Sequence, residues 1–425
     1  MQELINAAEA ENTTHEAARL LVTIEAANTT LVTDPPSLYI RRFEDDQGMP
    51  IEVPEEFDHL VACLFERFGA HYSFSEIWER AAQVSVQLRR GEFDSPASAA
   101  QEIIRQLNEP LDGILGLPQT CFVPVTGIGI ASSLDLGTAT YMAPHTAREY
   151  VRAWRRERNN ITGLGNLPEI QEGIGGYLRV EVASATDRRR QELLQEKAED
   201  AINLLRFYTR YLFGFDMFRN RPHLGGESPA VHVSSLYPMP HRTASNGLLY
   251  HFSLGMIPIG DSQIMAMQAN GLADMVAWQD APDGTARRAA LLAAQRLGRA
   301  GSLYALEDRV ISAFMAFDGW LTKDQRNFKK KNFAQRVAVL MQADPVSIGR
   351  MEAQAKDLYD VIRSELAHGG ELRKRDTEWI DRITTNIGVM TMLHAIEIIK
   401  RHDGAWSLND FWRELDALAA ARPPS

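Results

Sequence analysis

Asp357-Leu358-Tyr359-Asp360-Val361-Ile362-Arg363-Ser364-Glu365-Leu366-Ala367-His368-Gly369-Gly370 decides how the chain is read. Met351, Ala355, Leu358, Ile362 and Leu366 recur at spacings of four, three, four and four, which is one apolar face of an α-helix. Gly369 stands where a helix end favours a residue free to take positive φ. The spacing predicts a helix over 348–368 with His368 in its last turn, where open carbonyls and the helix dipole favour a protonated imidazole. An imidazole there can gain or lose a proton near neutral pH. Arg363 stays charged and can fork onto a phosphate. A permanent cation beside a proton-transfer group suits chemistry at a phosphodiester.

Around this stretch the chain reads as helix. After Ala281-Pro282-Asp283-Gly284 no strand pattern occurs, and helices are expected near 285–299, 302–321, 327–342, 376–401 and 407–420 as well. In the second of these, Leu303, Leu306, Val310, Phe314, Phe317 and Leu321 share one face. Amphipathic helices with short connections make an up-and-down bundle.

Arg363 and His368 with four residues between them, the Gly-Gly that follows and Tyr359 four residues before the arginine resemble the signature of HEPN domains, especially the ApeA-like group. The resemblance covers the last third of the chain. It implies a helical bundle, metal-independent ribonuclease activity in microbial defence or toxin systems, and two motif helices paired across a dimer. It implies Arg363 and His368 as the catalytic pair, with Ser364 bracing the arginine or touching the phosphate. Asp318, in Ala316-Phe317-Asp318-Gly319-Trp320-Leu321, falls where the family tends to carry a glutamate and could orient the pair; it could equally brace its own helix. Gln335-Arg336-Val337-Ala338-Val339-Leu340 resembles the family's next helix. Tyr359 could stack a base or pack in the core.

Geometry raises one difficulty for that site. At 100° per residue, positions five apart on an α-helix diverge by about 140°. A second copy of the helix, a frayed end or the reach of Arg363 must close the gap, which fits a homodimer. Arg373-Lys374-Arg375 follows the Gly-Gly turn and is the preferred RNA-phosphate contact; Lys329-Lys330-Lys331, expected between helices, is a second candidate. Solvated surface is the plain alternative for both.

Upstream, the pattern predicts helices over 8–27, 55–68, 74–90 and 96–107, with Ser73 and Ser95 as N-caps and Pro96 at a first helical position. Thr120–Ala131, Thr138–Met142, Leu178–Val182, Val231–Leu236 and Leu248–Ile259 read as strands, and 145–158, 187–212 and 263–278 as helices. The expected organisation is a helical region 1–115, an α+β region 116–283 with a mixed sheet and a sensing or regulatory role, and the helical bundle 284–425. The class is α+β overall and mostly helical.

Net charge is −11 and uneven. Residues 284–425 hold 22 Lys and Arg against 18 Asp and Glu, a net of +4, while 1–283 hold 23 against 38, a net of −15. An acidic protein is a poor general binder of nucleic acid, so RNA contact is expected to be confined to the C-terminal region. Two cysteines, Cys63 and Cys121, imply no disulfide framework and are expected as buried thiols in a reducing cytoplasm. Met1-Gln2-Glu3-Leu4 is acidic rather than basic, so no secretory leader is expected, and no apolar run reaches a membrane span. Gly127-Ile128-Gly129 and Gly173-Ile174-Gly175-Gly176 are too short for a dinucleotide fingerprint, and no Walker loop, nucleophile elbow or paired metal carboxylates occur. His223, His232, His241 and His251 fit no metal spacing, and His394 is expected in the core beside Ile383, Ile387 and Met390.

These readings lead to an endoribonuclease without metal or cofactor that serves as a toxin or effector against phage. The N-terminal part would restrain it or detect a trigger. The alternative is a non-catalytic HEPN module that dimerises or binds nucleotides as a scaffold or sensor.

Overall fold

The computed structural model describes residues 17, 30–31, 43–44, 50–51, 55–108, 119–157, 174–182, 185–213, 223–224, 237–238, 257–301, 303, 306–322, 329–341, 348–362 and 374–421. Helix makes up 71% of them and the strands are short, so the fold is α+β and mostly helical. The chain divides into two units, residues 1–119 with 181–195, and residues 120–180 with 196–425.

The first unit begins with three short antiparallel strands, β1 (Thr30–Leu31), β2 (Phe43–Glu44) and β3 (Pro50–Ile51), in that order. The sequence pattern predicts no strand there, because two residues are too few to show alternation. Helices α1 (Glu55–Phe68), α2 (Phe74–Arg89) and α3 (Pro96–Asn108) follow. Ser73 opens α2 with a capping box: its hydroxyl accepts from the Glu76 amide at 3.2 Å, and the Glu76 carboxylate accepts from the Ser73 amide at 2.8 Å. Glu76 also accepts from the Thr186 hydroxyl at 2.7 Å. Ser95 caps α3, accepting from the Ser98 amide at 3.2 Å, with Pro96 in the first turn. The inward faces bury Phe57, Leu60, Leu64, Ile77 and Ile103 completely, and Phe57 meets Trp78 edge-on at 5.3 Å.

The chain continues with β4 (Gln119–Thr126), β5 (Ile128–Ile130), β6 (Leu134–Asp135), β7 (Thr140–Met142), α4 (Pro144–Glu157), β8 (Ile174–Val182), α5 (Asp187–Phe213), β9 (His223–Leu224), β10 (Tyr237–Pro238) and β11 (Ile257–Ile259), nearly all in the second unit, with the residues of α5 up to 195 counted in the first. The sheet order is β10-β4-β8-β7-β6, with β9 also on β4, and β11 pairs in parallel with β5. Gly175 lies where a Cβ would stand 1.6 Å from the Ile128 carbonyl oxygen, and Gly176 where one would stand 2.2 Å from the Tyr141 hydroxyl. These glycines therefore serve close strand approach. The Tyr141 hydroxyl accepts from the Ile130 amide at 3.2 Å, and burial pushes its phenol up to about 12. Of the expected strand Leu248–Ile259, the described part is β11; Val231–Leu236 and nearly all of the 8–27 helix lie outside the described residues.

Helices then continue as α6 (Asp261–Ala269), α7 (Leu272–Ala277), α8 (Ala286–Ala300), α9 (Leu306–Thr322), α10 (Lys329–Leu340), α11 (Ile348–Asp360), α12 (Lys374–Ile399) and α13 (Leu408–Ala420). The single helix expected over 263–278 is two. Gly271 breaks it at φ +89°, and a Cβ there would stand 2.6 Å from Ile396. Helix α9 packs on α8 and α12, and α10 on α11 and α13. The predicted α9 face is buried at Val310, Phe314 and Leu321. Cap residues Thr285 and Ser407 pair as an antiparallel bridge, which sets the starts of α8 and α13 side by side. Cys121 is buried and Cys63 half-buried, and neither forms a disulfide.

Candidate active site

Helix α11 turns Ala355, Leu358 and Ile362 inward, as its spacing predicts, with 0%, 4% and 2% exposure. Tyr359 is also buried. Its ring lies 5.4 Å from both Phe314 of α9 and Phe333 of α10, and these two lie 5.5 Å apart. Of the two roles open to Tyr359, this is core packing. The three rings pack the last turn of α11 against its neighbours.

The α-winding of α11 stops at Asp360, and Val361 and Ile362 are wound as a π-turn. Such widenings are rare in helices and concentrate at functional sites. Arg363, Ser364, His368 and Arg373 lie outside the described residues. Lys374 and Arg375 open α12, and their side chains also lie outside the description.

Asp318 sits on α9, half-buried, and its carboxylate accepts from the Thr322 hydroxyl one turn on at 2.6 Å. That is the helix-bracing role. Lys329-Lys330-Lys331 lies in α10, within the helix expected over 327–342 and not between helices. The Lys330 ammonium pairs with the Asp360 carboxylate, so the start of α10 meets the end of α11.

Several charged contacts have no counterpart in the sequence reading. Arg336 is fully buried, forks onto Asp416 of α13 through two bonds of 2.8 Å, and donates to the Leu321 carbonyl at the end of α9. Its guanidinium lies 5.4 Å from the Trp412 ring centre. Arg210 of α5 reaches the buried Asp381 of α12 at 3.3 Å and also donates to Thr385. Burial brings the Arg210 guanidinium down to about 10 against the opposing pull of Asp381, so it remains a cation at neutral pH. Burial also lowers Arg309 of α9, again opposed by Asp381. These partners come from distant stretches of chain, so no local spacing announces them. His394 is half-buried, with Nδ1 on the Leu340 carbonyl, while Met390 on its expected face is exposed.

Among the described residues no three His, Cys, Asp or Glu side chains gather as a metal site, and no helix is long and apolar enough to cross a membrane. No family model, curated protein or solved structure matches the chain.

Proposed function

We propose that the chain is a metal-independent endoribonuclease of the HEPN type, acting as a toxin or effector in defence against phage. One observation carries this reading beyond the motif: the helix changes from α- to π-winding directly ahead of Arg363. π-Winding bonds residue i to i+5. On an α-wound helix residues five apart turn about 140° away from each other, a gap that a second copy of the helix or the reach of Arg363 would close. Arg363 and His368 are five apart.

In the proposed reaction His368 takes the proton of an RNA 2′-hydroxyl as that oxygen bonds to the neighbouring phosphorus. The bond from phosphorus to the 5′-oxygen breaks, and that oxygen receives the proton. Arg363 stabilises the added negative charge of the transition state, and Ser364 braces it. The products are a 2′,3′-cyclic phosphate and a 5′-hydroxyl. Asp318 and Tyr359 are engaged by Thr322 and by the aromatic cluster, and take no step. A homodimer joined through the motif helix would supply a second arginine and histidine to the same cleft. Arg373, Lys374 and Arg375 would flank it.

The same commitments of Asp318 and Tyr359 favour a second reading, a helical scaffold that dimerises without catalysis. The test incubates full-length protein with RNA in the presence of EDTA, maps the ends and measures mass by light scattering. Cyclic-phosphate ends from a dimer support the nuclease. Activity that needs added Mg²⁺ or Mn²⁺ overturns the mechanism, and no cleavage by a dimer supports the scaffold.

A further inference from the structure

We draw no further inference here: the strongest candidate, the buried charge cluster where Arg210 of α5 and Arg309 of α9 meet Asp381 of α12, carries nothing, because its described contacts tie helices together and nothing among the described residues points to a ligand there.

Discussion

Helices α2 and α13 begin in one way and α10 in another. Ser73 with Glu76 and Ser407 with Asp410 tie off the first amides of their helices in closed boxes. Their acids stand where the dipole favours them. The first described turn of α10 holds Lys329, Lys330 and Lys331 and no acid. The capped starts contribute stability and leave little charge unanswered, while in α10 Lys330 is answered by the half-exposed Asp360 at the end of α11, a pair that adds little.

The largest effect expected from this contrast is on activity. His368→Ala and Arg363→Ala should each lower RNA cleavage by about 10²–10⁴-fold while leaving circular dichroism and melting nearly unchanged. Arg363→Lys should also be poor, because an ammonium cannot make the two-point phosphate contact. Ser73→Ala should do the opposite, lowering the melting temperature with cleavage intact. Cleavage assays and thermal melts on the four variants check this, and near wild-type cleavage by either alanine variant at the motif would dissolve the contrast.

Next in size is the tie between α10 and α13. Asp416 is half exposed, and an ion pair at such a position ordinarily adds at most about 1 kcal/mol. Its partner Arg336 is fully buried, so Asp416→Ala strands a cation in the core and should cost about 3 kcal/mol. Urea unfolding measures it. A loss near zero would mean that the Leu321 carbonyl and the Trp412 ring suffice to hold the guanidinium.

A third effect depends on pH. The Tyr141 phenol is pushed up to about 12 from an ordinary 10.0, so the folded chain holds that proton more tightly than the unfolded one. Its contribution is fully present below pH 10 and is lost as pH rises from there toward 12. Tyr141→Phe should cost about 1 kcal/mol at neutral pH through the lost Ile130 hydrogen bond, and should make melting less sensitive to alkali. Melts at about pH 8 and pH 11 test the sign.

What the chain discloses without its fold follows the range of each interaction. The Ser73 and Ser95 caps were readable because the residues concerned are only three apart, and the α11 face because Ala355, Leu358 and Ile362 repeat within two turns. The break in the 263–278 helix was not, because it depends on how closely Ile396 approaches Gly271. Lys330 with Asp360, Arg336 with Asp416 and Arg210 with Asp381 are 30, 80 and 171 residues apart, beyond any periodicity. The preference for Arg373-Lys374-Arg375 over Lys329-Lys330-Lys331 as the RNA contact rested on distance along the chain. The Lys330–Asp360 pair brings the second run to the motif helix as well.

The smallest expected effect tests the contrast at single side chains. Ser407→Ala removes the hydroxyl that accepts from the Asp410 amide at 3.1 Å and takes one donor from the Asp410 carboxylate, which keeps the Ser407 amide and Arg413. It should cost about 1 kcal/mol. Lys331→Ala removes an exposed cation from the wrong pole of α10 and gains a better helix former, so it should stabilise by about 0.3–0.5 kcal/mol. High salt should shrink the Lys331 gain by screening the exposed charge, and should leave the Ser407 loss nearly unchanged because a hydrogen bond is at stake. Chemical denaturation with urea in low and high salt reads both. A Lys331→Ala chain less stable than wild type would show that the lysine stem packs for the fold.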